Sequence, residues 1–362
     1  MRSHLLALLM PLALSAFGQP AQDAPAVTNT LQGPWDERAL RRNGEAWHHA
    51  VNSRPADAQA RYQLYNNERQ AALVRGNGHI SPADAARLKE SADALARIAP
   101  ASVDARLATY YQDFPEASAF AALEAALAVE PRAPGAVVPR MTLALKRGDA
   151  DGLRAAAVEL RERGLVAPGL LLMAQDLLAS VDRGGVLLTG GELDTYPTLA
   201  VQHTEAARKD VLVVDVRLLA DNDYRQRVWR EAGAAGTAPA TVQGVVNALP
   251  QATARPVHLA LSLPGELLAP WHERSALTGL TLRAGGSGEP IAELAARWKR
   301  MHRTPEAGPL SWNYLVTGSV LLRHYRAVND EAGMARTEQE LRHLADRIGA
   351  TNELYRMGVL SH

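Results

Sequence analysis

One short register recurs in the first half of this chain and limits what it can fold into. Pro55, Ala60, Arg61 and Tyr65 share their spacing with Pro100, Ala105, Arg106 and Tyr110. A fainter copy lies at Pro134, Arg140 and Ala144. Self-similarity of this kind marks stacked units that cannot bury an apolar face alone. Between the copies run Ala122-Leu123 and Ala125-Ala126-Leu127, closed by Pro131. Alanine at helical spacing lets two helix backbones approach closely, and proline fits a first helical turn but not an interior. Composition agrees: 47% of residues are apolar and only 5% aromatic, which favours packed helices over a β-sandwich.

Residues 35–180 are therefore expected to form pairs of antiparallel helices, and the register resembles the tetratricopeptide repeat. In a third pair, Gly148-Asp149 supplies the turn and residues 153–163 the second helix. The first pair carries an insert at residues 76–82, ending in Ser81-Pro82, a cap-and-first-turn signal.

The N-terminus reads as an address. Arg2 precedes an apolar run at residues 5–16, too short to span a bilayer of ~30 Å, and Ala16 and Gly18 place small residues before Gln19. Residues 1–18 are expected to be a secretory signal peptide, residues 19–34 a flexible lead-in, and the mature protein periplasmic or secreted, with no membrane span. The absence of cysteine excludes a disulfide scaffold, a thiolate zinc site, an iron–sulfur cluster and a cysteine nucleophile. Thirty-nine basic residues balance 39 acidic ones, so no electrostatic footprint points to nucleic acid.

The pattern changes at residues 181–289. Short continuous apolar runs at 185–188, 211–216, 256–261 and 280–282 alternate with helical stretches near 198–208, 223–231 and 241–249. This predicts a small Rossmann-like layer of three or four strands, opening with a parallel βαβ unit. Functional residues on such sheets lie just past the carboxyl ends of strands. There the chain places Glu192, Asp194, Thr195 and Tyr196 after the first strand, and Asp215 and Asp221 after the second. These six are the candidate ligand-binding residues, and both clusters are expected on one sheet edge. Glu192, Asp194 and Asp221 together suit a hard cation or a polyhydroxy ligand. An equally direct reading makes Asp194-Thr195 and Asp221 helix caps, since capping and ligand residues are the same types. His203, in the next helix, completes the only acid–base constellation with Glu192 and Asp194.

The stretch 189–224 resembles the soluble region of a bacterial family of protein O-mannosyltransferase-like membrane proteins of unassigned activity. The resemblance rests on Gly191, Glu192, Asp194, Thr195, Tyr196 and Pro197, on Gln202 and Glu205, and on Arg208, Asp210-Val211, Leu218-Leu219 and Tyr224. Asn313-Tyr314-Leu315 adds a fainter tail. Gly190, Glu192 and Leu193 depart from the family's residues at their positions. The resemblance implies a shared soluble module rather than transferase activity, and a binding role for the acidic loop.

After a glycine linker at 284–288, residues 290–362 are expected to be helical, with Leu341, Leu344 and Ile348 as a buried stripe. His302, His324 and His343 lack metal-ligand spacing and are read as surface or packing residues. The chain contains no Gly-x-Ser-x-Gly, no His-Glu-x-x-His and no EF-hand loop, and its motifs call for no metal or cofactor. The sequence thus presents an α/β plus α protein, helical pairs flanking a small sheet. Its expected function is that of an envelope binding or scaffolding protein with a protein or peptide partner. The alternative is a metal-assisted hydrolase or transferase acting on envelope glycans through residues 190–197.

Overall fold

The computed structural model describes residues 26–286 and 290–361. The expected signal peptide, the start of the lead-in and part of the glycine linker lie outside the described residues.

Eight helices come first: α1 (Glu37–Ser53), α2 (Ala58–Arg75), α3 (Pro82–Ile98), α4 (Val103–Asp113), α5 (Ala117–Val129), α6 (Val137–Arg147), α7 (Ala150–Glu162) and α8 (Pro168–Ala179). The sequence register has a structural counterpart. Helices α2, α4 and α6 each begin three residues after Pro55, Pro100 and Pro134. Asp57 and Ser102 cap α2 and α4 from equivalent places, accepting the amides of Ala60 and Ala105 at 3.0 and 3.1 Å. Ala60, Ala105, Tyr65 and Tyr110 are all buried, as are the alanines of the α4–α5 contact, Ala108, Ala119 and Ala126.

The end of the expected flexible lead-in is instead packed along α2. Gln63 accepts the Val27 amide at 2.7 Å, Asn66 donates to the Val27 carbonyl at 3.3 Å, and Gln70 donates to the Gly33 carbonyl at 2.7 Å. These side chains fall three and four residues apart on one face of α2, so a buried polar stripe holds the backbone of residues 27–33 against the helix.

The α/β module alternates β1 (Val186–Thr189), α9 (Glu192–Thr204), β2 (Leu212–Asp215), α10 (Asn222–Glu231), α11 (Val242–Ala252), β3 (Val257–Ala260), the short α12 (Gly265–Leu268), β4 (Ser275–Leu277) and β5 (Thr281–Ala284). The strand order is β2-β1-β3-β5-β4, parallel across β2-β1-β3 and antiparallel at β5 and β4. The class is the expected one, with five strands rather than three or four. The unexpected β4 is three residues long and is joined to β5 by a tight turn at Gly279. At φ 120° a side chain there is strained, and a Cβ would sit 2.4 Å from the Ser180 hydroxyl.

Both faces of the sheet are covered. Leu187, Val213 and Ala260 join a core with α6–α9 and the C-terminal helices, while Val186, Leu188, Val214, Val257 and Leu259 join a second core with α2, α4, α5, α10 and α11. Period-two alternation with no polar face explains why these strands read as continuous apolar runs. The C-terminal helices are α13 (Ile291–Arg300), α14 (Trp312–Ala327), α15 (Glu331–Ile348) and α16 (Thr351–Arg356). No helix among the described residues is long and apolar enough to cross a membrane.

On β3 lies a fully buried histidine, His258. Its Nε2 accepts the Asp182 amide at 3.1 Å, which leaves the proton on Nδ1, 3.0 Å from the Thr281 hydroxyl. Burial pushes its pKa down to about 4; the Asp182 carboxylate at 3.4 Å opposes this shift, and Arg297 and Arg283 add to it. The unfolded imidazole binds its proton near pH 6.5, so stability from this group is complete above that pH and is lost as pH falls toward 4. Chemical denaturation at pH 7 and 4.5 is expected to show wild type losing about 2–3 kcal/mol more than His258→Gln.

Candidate functional site

The parallel register pairs Thr189 with Asp215, so both acidic clusters emerge at one sheet edge, as expected. The chain just past β1 departs from expectation. The segment expected to be a loop up to Pro197 is already helix: α9 starts at Glu192, and Pro197 sits inside it. Asp194 makes this possible. Its carboxylate accepts the amides of Gly190 and Gly191 at 2.7 and 2.8 Å and the hydroxyl of Ser262. The helix therefore starts before Pro197, which sits in its second turn and leaves the Leu193 carbonyl without the usual i→i−4 donor. Asp194 is thus a buried cap and lines neither of the two cavities described below. Thr195 donates to the Thr189 hydroxyl at 2.8 Å and fastens the same turn. Asp221 caps α10, accepting the Tyr224 amide at 2.9 Å, and pairs with Lys146 at 2.5 Å.

Glu192, at the first position of α9, points the other way and forms a buried ion pair with Arg69 of α2. Beside it Asp215, fully buried, accepts from Arg217 Nε at 2.9 Å and Nη2 at 2.6 Å and from the Arg217 amide at 3.0 Å. That last bond ends β2 and starts a tight turn at residues 216–220, where the sequence suggested a longer strand. Tyr196 bridges the two elements: its hydroxyl lies 2.5 Å from that of Thr142 on α6 and accepts from Arg217 at 3.2 Å. Burial pulls the Arg217 pKa down, but the charge and hydrogen bonds of Asp215 more than reverse this and hold it well above the usual value. Burial pushes the Tyr196 hydroxyl well above its usual range.

All of these groups except Asp215 line a cavity of about 160 Å³ at the seam between the helical pairs and the α/β module. Arg69, Tyr110, Tyr111 and Phe114 line it from one side, Glu192, Tyr196 and Arg217 from the other. The Arg69 guanidinium lies 3.9 Å over the Tyr111 ring, and that of Arg217 5.0 Å from the Phe114 ring centre.

Of the predicted site residues, Glu192, Tyr196 and Asp215 come together. Asp194, Thr195 and Asp221 do not join them. His203 lies nine residues beyond Asp194 on α9, roughly 14 Å along the axis at 1.5 Å per residue, so it completes no acid–base group. Burial and the charges of Arg154 and Lys209 push its pKa down. Among the described residues no group of three His, Asp or Glu is placed to hold a metal ion. Sequence reasoning missed Arg69 and Tyr111. The signal available was the doubled aromatic Tyr110-Tyr111, of which only Tyr110 was expected to serve the repeat. His302 lies at the surface, as expected, and its Nδ1 is 2.8 Å from buried Asp176, which accepts the Tyr314 hydroxyl at 2.7 Å.

A larger concavity, of about 760 Å³, lies on α1, α2 and α3. Leu40, Ala71, Val74 and Leu88 give it an apolar floor. Its rim holds five carboxylates (Glu37, Glu45, Glu68, Asp84 and Glu90) against three arginines (Arg41, Arg75 and Arg87). Two of those arginines, Arg75 and Arg87, pair with Asp84. Burial raises the pKa of Glu68, which lies 4.0 Å from His48.

Comparison with known proteins places a family only on part of the chain. The family model described as TMEM260-associated domain 2 matches residues 171–245, about a fifth of the sequence. The matched segment runs from α8 to the start of α11 and carries Glu192, Tyr196 and Asp215, whereas Arg69, Tyr110 and Tyr111 lie outside it. No curated protein and no solved structure matches the chain.

Replacing Asp194 tests its assignment as a cap. Asp194→Ala removes a buried carboxylate that accepts two backbone amides, at an expected cost of about 2–4 kcal/mol in denaturant unfolding. A variant as stable as wild type would contradict the assignment.

Proposed function

We propose that this chain is an exported binding protein of the cell envelope, periplasmic or secreted, whose tetratricopeptide-like helical pairs hold a protein or peptide partner. One observation carries the reading: the groove on α1–α3 combines an apolar floor with an acidic rim. A groove of this kind suits a segment with apolar side chains flanked by lysine or arginine, in the manner of helix-in-groove recognition. The half-buried Glu68 gains most from such a partner, because a cation there would replace the water that burial removes. The N-terminal sequence 1–18 supports export. The α/β module braces the array through Arg69 and Glu192 in this reading. The glycan hydrolase or transferase alternative draws no support from carboxylates that cap helices or pair with arginine and lysine.

The test is selection from a random peptide display library on the exported form, residues 19–362. Enriched sequences are expected to combine apolar residues with Lys or Arg, to bind more weakly as salt rises, and to lose at least tenfold in affinity to Glu68→Lys. Enrichment that is neutral or acidic, or indifferent to Glu68→Lys, would sink the proposal.

A further inference from the structure

The cavity at the seam carries a second inference, independent of the groove. We propose that it binds a small uncharged polyhydroxy molecule, either a free polyol or the end unit of a saccharide.

Charge sets the first condition. Arg69 is paired with Glu192 and Arg217 with Asp215, so the charges lining the cavity cancel, and an ionic ligand would have to break a buried pair. Hydrogen-bonding capacity sets the second. One carboxylate oxygen of Glu192 bonds to Arg69, and among the described residues the other has no protein partner. The Tyr111 hydroxyl is buried and also has no partner. Two residues lining one small space thus hold an acceptor and a donor with unmet capacity, and a hydroxyl group answers both because it donates and accepts. The walls set the third. Tyr110, Tyr111 and Phe114 present aromatic rings, and Ile80 and Val138 aliphatic side chains, surfaces that pack against the C–H faces of a polyol. Size sets the last. About 160 Å³ corresponds to roughly five waters at ~30 Å³ each, which limits the ligand to the range from glycerol to one sugar unit.

The probes are glycerol, myo-inositol, glucose and maltose, titrated against residues 19–362 by ligand-observed NMR and calorimetry. At least one is expected to bind with a millimolar or tighter Kd. Tyr111→Phe deletes a hydroxyl that makes no bond within the protein, so its melting temperature should match wild type while affinity falls about three- to tenfold. Binding of maltose as tightly as glucose assigns the end of a saccharide chain; binding of the smaller probes with maltose excluded assigns a free polyol. If none of the four binds, or if Tyr111→Phe binds the same probe as tightly as wild type, the inference is overturned. These probes carry no charge and no peptide, so the outcome is separate from that of the groove.

Discussion

The rest of the structure depends on a single buried ion pair. Arg69 leaves the middle of α2, and Glu192 opens α9, 123 residues later. Each is almost fully shielded from water. An isolated charge in that position would cost several kcal/mol, so neither helix can bury its face without the other in place. The pair is therefore less a source of net stability than a condition on geometry. It fixes where the helical pairs meet the sheet edge, and the cavity beside it exists because two charged side chains hold the walls at a set separation.

Helix α2 is engaged on several sides at once. One stretch of its surface receives the backbone of residues 27–33, Asn67 reaches the Leu40 carbonyl at 3.1 Å, and Arg69 reaches across to the module. Its buried polar residues make it look amphipathic only weakly in sequence, because they reach partners on three other segments. The α/β module is organised by a parallel logic: Asp194, Asp215 and Asp221 sit where strands become helices, and each takes up backbone amides that would otherwise be unpaired.

Much of this was legible from residues alone. The Pro-Ala-Arg-Tyr register marked the starts of α2, α4 and α6, and the apolar runs marked four of five strands, because both signals are local. The sheet edge was also foreseeable, since parallel strands end on one side. The orientation of the carboxylates was not. Glu192 and Asp194 are two residues apart, and helical geometry alone turns them about 200° from each other, so only one can face the seam. Pro197 hid the start of α9, because a proline is normally read as the beginning of a helix rather than its second turn. Arg69 was invisible for a different reason: its partner is distant in sequence, and an arginine in a helix is ordinarily solvated.

The backbone of residues 27–33 and the carboxylate of Glu192 meet the same helix from opposite ends of the sequence order. Neither the array nor the module then has a complete interior by itself. The composition boundary near residue 181, plain in the amino-acid pattern, is not a seam along which the protein can be divided. A fragment ending there would retain the guanidinium of Arg69 in an apolar setting with no counter-charge. Folding must accordingly close a loop of more than a hundred residues before α2 is at rest, which makes the two halves one cooperative unit and a comparatively slow one to assemble.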